Sequence, residues 1–238
     1  MVKEKLNTGI RELDELLGGG IPRGHVVLLS GSCGTGKTIL SHQFLFEGAK
    51  KGESGLYISL TEPSGMIEEN LEEFSFYDKK YVDEGLVNII DVEEECILGN
   101  LSERTPEYLV KTISDVINNK NRRRIVLDSV TALADDIEDE AMLRDFLLSL
   151  RRKLMKERST LILISEIKPM TFEYSKYGVE EFVSDGVIML SELERKGDLI
   201  RTLQVIKMRG IDHSRNKQVM KIMKEGIVLN PIFKSDLD

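Results

Sequence analysis

Five short, mostly apolar runs mark the first two-thirds of the chain: HVVLLS (25–30), GLYISL (55–60), LVNIID (86–91), RIVLDS (124–129) and TLILIS (160–165). Each is too short for a buried helix and is flanked by polar or glycine-containing segments, which predicts β-strands. Between them the pattern predicts helices over 37–50, about 64–75, 105–119 and 137–157. The third has a start signal, with Thr105 as N-cap and Pro106 in the first turn. Near the N-terminus Thr8 is placed to cap a short helix. Its apolar face is Ile10, Leu13 and Leu17, and Gly18-Gly19-Gly20 ends it. Apolar strands alternating with helices give an α/β fold, a mainly parallel sheet covered on both faces. After about residue 186 the pattern changes to GVIML, IRTLQVIKM, KQVMKIM and GIVLN, separated by tight turns. That tail predicts C-terminal antiparallel hairpins extending the sheet. With no internal repeat and no low-complexity linker, residues 1–238 are expected to form a single domain.

Charge narrows the function classes. A net charge of −8 argues against a general nucleic-acid coat, without excluding a local basic patch. No run reaches the length of a membrane span, and MVKEKLNTG lacks the apolar core of a signal peptide. Cys33 and Cys96 form no metal-type pair, and the three histidines are scattered, so a zinc site is not expected. A reduced cytoplasm is the expected location, with no membrane association.

SGSCGTGKT (30–38) follows the first core strand and opens a helix. Gly31, Gly36, Lys37 and Thr38 fit the phosphate-loop pattern G-x-x-x-x-G-K-[ST]. Glycines let successive backbone N–H groups wrap a phosphate, and the helix N-terminus adds its positive end. The expected ATP contacts are Gly31, Gly34, Thr35, Gly36, Lys37, Thr38 and Ile39. Lys37 is assigned to the β- and γ-phosphates and the Thr38 hydroxyl to Mg²⁺, with Cys33 as a small loop filler. Asp128, ending the RIVLD strand at the edge where α/β sheets bind ligands, is the expected second Mg²⁺ residue, acting through water. Glu62, just past GLYISL, leaves its strand at the same edge and is the candidate base that deprotonates water. Ser165 and Glu166 end the TLILIS strand and could sense the γ-phosphate. Arg122, Arg123 and Arg124 fall at the opposite end of their strand and read as a solvated cluster.

VIKMRGIDHS (205–214) places Lys207 and Arg209 two residues apart on a late strand, off one face, with Met208 on the other. Taken alone, this could be an edge strand carrying anti-aggregation charge. Together with TGIRELDELLGGGIPRGHVVLLSGSCGTGKT, LDSVTAL and YGVEEFVSD, however, it resembles the KaiC-like branch of the RecA/RadA ATPase superfamily. The resemblance implies a RecA-like P-loop NTPase core and six-membered rings with ATP between subunits. It also implies that Lys207, Met208 and Arg209 reach the neighbouring subunit's nucleotide, with His213 near the same site. Two departures matter. Clock-type KaiC carries paired glutamates where this chain reads Thr61-Glu62, which points to low turnover. The autophosphorylating domain has an adjacent Ser-Thr pair where this chain has Glu181-Phe182, which excludes self-phosphorylation there.

The expected function is a Mg²⁺-dependent, ATP-hydrolysing, ring-forming regulator of an unidentified protein partner. The alternatives are a DNA-binding recombinase or repair accessory and an ATP sensor with very slow turnover. Segment 167–185, which would face DNA, sets two lysines against three glutamates and one aspartate. That balance is the reverse of what phosphate neutralisation needs. Tyr174 and Tyr177 could still stack on bases.

Overall fold

Every strand expected from the apolar runs is present, and side chains alternate between two cores, one on each face of one sheet. The computed structural model describes residues 4–94, 105–118, 122–137, 139–169, 171 and 173–232. Cys96, Met170 and Phe172 lie outside the described residues. The elements in chain order begin with β1 (Lys5–Leu6), α1 (Arg11–Leu16), β2 (Ile21–Pro22), β3 (Val26–Gly31), α2 (Lys37–Ala49) and β4 (Gly55–Ser59). Then come α3 (Ser64–Leu71), α4 (Lys79–Asp83), β5 (Val87–Asp91), α5 (Pro106–Asn118), β6 (Arg124–Asp128), α6 (Val130–Ile137) and α7 (Glu140–Glu157). The remainder are β7 (Thr160–Glu166), α8 (Glu180–Val183), β8 (Gly186–Arg195), β9 (Asp198–Met208), β10 (Gln218–Met223) and β11 (Gly226–Pro231).

The sheet order is β11-β10-β9-β8-β3-β7-β6-β4-β5, with β8, β3, β7, β6, β4 and β5 parallel and β9 to β11 antiparallel. On β3, Val27 and Leu29 face α1, α2 and α3, whereas Val26 and Leu28 face α5, α6 and α7. Strand period 2 produces this split, and helices on both sides bury it. Among the described residues no helix is long and apolar enough to cross a membrane.

Several expectations change. Thr8 does not cap α1, which starts at Arg11 after Ile10. Its hydroxyl instead accepts from Ile10 N (3.1 Å) and donates to Asp14 Oδ1 (2.9 Å), because a side chain two residues before the N-cap reaches the turn and not the helix. The helix expected over about 64–75 ends at Leu71. The one over 137–157 is α7 and starts at Glu140, with Asp139 capping it by accepting from Ala141 N and Met142 N, and α6 over Val130–Ile137 is a helix not expected from the sequence. Thr105 does cap α5, accepting from Tyr108 N at 3.3 Å. Strand β9 stops at Met208, so Arg209 lies just beyond it. Its register against β8 slips once: Ile188 opposes Val205 but Val187 opposes Lys207, leaving Ile206 without an opposite number.

The arginine cluster is also corrected. Arg124 is 1% exposed and Arg122 5%. Arg124 donates to Glu53 Oε2 (2.7 Å), Asn7 O (2.6 Å) and Phe44 O (2.7 Å), and its guanidinium stacks over the Phe44 ring. Arg122 donates to Gly55 O and Asn88 Oδ1. A planar guanidinium can satisfy several acceptors at once, so these side chains tie the sheet's lower edge to the N-terminal segment and α2. A Cβ on Gly48 would lie 2.3 Å from Arg124 Nε, so only glycine leaves room there. Arg124→Ala is expected to cost about 3 kcal/mol, since it strands Glu53 and two backbone carbonyls. Urea unfolding measures this, and a loss below about 1 kcal/mol would show the network to be dispensable.

Candidate active site

Parallel register decides which residues can meet. Gly31 is level with Glu166, Asp128 with Ile164, and Ser59 with Asp128. The loop after Gly31, the end of β6, the end of β7 and the turn carrying Glu62 therefore share one sheet edge.

Gly36 adopts φ 95° and starts α2 without a side-chain cap, and no acidic residue occupies the first turn. The helix thus opens with backbone donors and no competing carboxylate, an arrangement suited to an anion. Thr35 Oγ1 donates to Ser32 O at 2.8 Å and holds the loop. Gly31 is required by packing, because a Cβ there would lie 2.6 Å from Leu190 O. Lys37 is buried, and its Nζ donates to Gly31 O (3.0 Å) and Ser32 O (2.9 Å). Burial lowers its pKa, and the charges of Glu166 and Asp128 act against that. Ile39, the third residue of α2, packs against the core on the α2 side.

Thr38 Oγ1 donates to Asp128 Oδ2 at 3.2 Å. Desolvation pushes the Asp128 carboxyl up, opposed by hydrogen bonds from Tyr57 and Thr38 and by the Lys37 charge. A hydroxyl and a single carboxylate form an all-oxygen donor pair. Mg²⁺ suits such a pair, since it uses few protein ligands and completes its shell with water and phosphate. Among the described residues there is no group of three or more His, Cys, Asp and Glu that could hold a metal ion.

Glu62 is positioned by its backbone: its N–H donates to Ser59 Oγ (3.0 Å), which donates to Glu62 O (2.7 Å). Its carboxylate accepts from Asn70 Nδ2 at 3.1 Å. Glu166 is exposed at this edge, its backbone N–H bonded to Thr131 Oγ1 at 2.8 Å. Ser165 is buried and turns the other way, its hydroxyl near Thr131 Oγ1 (3.4 Å) and Glu180 Oε1 (3.5 Å), so of the two only Glu166 faces the loop.

Lys207, Met208 and Arg209 are not brought to this edge. Met208 is level with Gly186, and Gly186 with Val27, whereas Gly31 is level with Leu190. Four residue steps separate the two levels, roughly 13 Å along the strands. Lys207 Nζ donates to Glu181 O (2.6 Å), and the Arg209 guanidinium lies 3.5 Å from Phe182 O and 3.6 Å from Asp185 Oδ1. Met208 is buried, and the residue after His213, Ser214, bonds through its N–H to Leu16 O near α1.

Arg201, Tyr57 and His42 escaped sequence reasoning. Arg201 on β9 donates from Nε to Gly34 O at 2.9 Å, and nothing in the sequence marks it. Tyr57 donates to Asp128 Oδ2 and stacks on His42. A tyrosine inside an apolar strand was the available signal, since a buried phenol needs a partner.

The chain is similar to known proteins over nearly its whole length. The family described as "ATPase: KaiC" matches residues 6–233. A UPF0273 protein of Pyrococcus furiosus is 38% identical over 237 residues, spanning 95% of this chain and 94% of its own. A UPF0273 protein of Thermotoga maritima is 36% identical over 241 residues, 97% of each chain. The circadian clock protein KaiC3 of Synechocystis is 32% identical over 240 residues, which take up 99% of this chain and 47% of that protein. The crystal structure of a KaiC-like protein from Pyrococcus horikoshii superposes with a TM-score of 0.83 at 33% identity, covering 97% of this chain and 100% of that one. The RecA-like sheet with its antiparallel extension is thus shared from end to end, and the chain belongs to the KaiC family of ATPases.

Proposed function

We propose that this chain is a slow, Mg²⁺-dependent ATPase, one domain over residues 1–238, working in a six-membered ring to regulate a protein partner. The supporting observation is the placement of charge at two sheet edges. Lys37, Thr38, Asp128 and Glu62 gather at one edge, whereas Lys207 and Arg209 sit at the other, about 13 Å away along the strands. The two sets cannot act on one phosphate within a subunit. Stacking subunits side by side brings one chain's cations to the next chain's phosphate loop.

In this reading Lys37 leaves its loop carbonyls to neutralise the β- and γ-phosphates, and the α2 N-terminus cradles them. Thr38 and Asp128 would hold Mg²⁺, which supplies charge neutralisation between the phosphate oxygens. Glu62 takes the proton from the attacking water. Lys207 and Arg209 of the adjacent subunit meet the charge that develops on the transferring phosphate, and only in the assembled ring. Gly31, Gly34, Thr35, Gly36 and Ile39 shape the loop and first turn, and His213 of the adjacent subunit lies by the same nucleotide.

Glu62→Gln tests the catalytic half. It should keep nucleotide bound while turnover falls at least ~10²-fold, because an amide cannot accept the proton. Hydrolysis at the parental rate would move the base elsewhere, with Glu166 next. One observation favours the sensor reading: Thr61 replaces a second acid and Asn70 engages Glu62. A parent protein that binds ATP and never releases phosphate would establish it. The DNA reading loses ground because Lys176 is engaged by Asp135 at 2.6 and 2.9 Å.

A further inference from the structure

Asp128 is gripped by a side chain that belongs to neither the phosphate loop nor its own strand. Tyr57 on β4 is 1% exposed, with its ring stacked on His42 at a centroid distance of 4.0 Å and 24° between planes. Its hydroxyl points at Asp128 Oδ2, the same oxygen that accepts from Thr38 Oγ1 at 3.2 Å. A carboxylate only accepts, so the phenol donates.

The stack beneath is itself fixed. His42 is fully buried, and its Nδ1 lies 2.9 Å from Thr38 O. A backbone carbonyl cannot donate, so Nδ1 carries the proton and the ring is held by one bond. Thr38 and His42 are four residues apart on α2 and therefore lie on one helix face. One face of α2 thus supplies the hydroxyl that meets Asp128 and the ring that supports Tyr57.

We infer that Tyr57 is a positioning residue for the metal-bearing nucleotide. Its hydroxyl fixes the rotation of the Asp128 carboxylate so that Oδ2 stays turned toward Thr38. Without that donor, rotation about the last Asp128 bond is broad and two-fold, and the carboxylate loses its preset orientation. A group that orients a metal residue commonly changes metal affinity ~10- to 100-fold when removed. The inference rests on the Mg·ATP reading given above, and Tyr57 touches neither substrate nor water in it.

The test uses the full chain and a fluorescent ATP analogue, titrated once in EDTA and once at fixed analogue with increasing Mg²⁺. Tyr57→Phe keeps the buried ring and its stack and removes only the hydroxyl. The expected result is a Mg²⁺ midpoint raised roughly 10-fold or more, with affinity in EDTA unchanged. Mn²⁺ binding followed by electron paramagnetic resonance should weaken in parallel, independently of turnover. Placing 4-aminophenylalanine at position 57 restores a donor and should recover most of the lost affinity. A parental Mg²⁺ midpoint in Tyr57→Phe, or an equal loss with and without Mg²⁺, would overturn the assignment alone. A parent protein whose nucleotide binding ignores Mg²⁺ would overturn the site reading and this inference with it.

Discussion

Lys37→Ala is expected to abolish measurable ATP turnover and to weaken nucleotide binding sharply. The Nζ group is buried at the mouth of the loop, and its two acceptors are backbone carbonyls at 3.0 and 2.9 Å. A phosphate entering the loop would replace those neutral acceptors with charged ones, where hydrogen bonds are shorter and roughly twice as strong. Removing one such donor from a poorly solvated site costs on the order of 10²–10³ in rate. Alanine also leaves Glu166 and Asp128 without the cation that both currently feel. Repulsion between those acids and the incoming phosphates then adds to the loss. Phosphate release and calorimetric ATP titration are the measurements. An unchanged rate would remove the phosphate-loop assignment altogether.

Arg209→Ala is expected to be as inactive as Lys37→Ala for a different reason, and a mixture of the two should regain activity. Removing a cation that meets the transferring phosphate costs on the order of 10³-fold or more. In the proposed ring, an Arg209→Ala subunit has an intact loop and a Lys37→Ala subunit has intact cations. Where the first presents its loop to the second, the interface between them contains every part. Activity should therefore appear on mixing after subunit exchange, with a maximum near equal proportions. Native mass spectrometry establishes co-assembly. Co-assembled mixtures as dead as either parent would place Lys207 and Arg209 outside the catalytic site.

The strands, the edge at which the phosphate loop sits and the approach of Asp128 to Thr38 were all legible in the sequence. They depend on periodicity and local turn chemistry, which short windows contain. The arginines at the start of β6 were misread because a run of like charge is ordinarily solvated. Arg124 is buried only through Glu53, Asn7 and Phe44, which are 71, 117 and 80 residues distant. Tyr57 could be marked as a buried phenol in need of a partner, but its partner Asp128 is 71 residues away and no local pattern names it. Helix α6 was missed because it follows β6 after a single residue and is only eight residues long, too short a run to show helical spacing plainly.

The slip in β9 register has a consequence for the two cations. Opposed residues of an antiparallel pair point the same way, so Val205 shares the side of Ile188, toward α1 and α2. An uninterrupted strand would send Lys207 to that side too, two residues on. The extra residue at Ile206 reverses the parity: Lys207 lies opposite Val187, on the side of α8, and Met208 falls into the core in its place. The pair of cations reaches the carbonyls of Glu181 and Phe182 because one residue is out of step. Deleting Ile206 would remove the slip and leave Lys207 opposite Val187, whereas pairing every residue of β9 in unbroken register would aim both charges into the other half of the molecule.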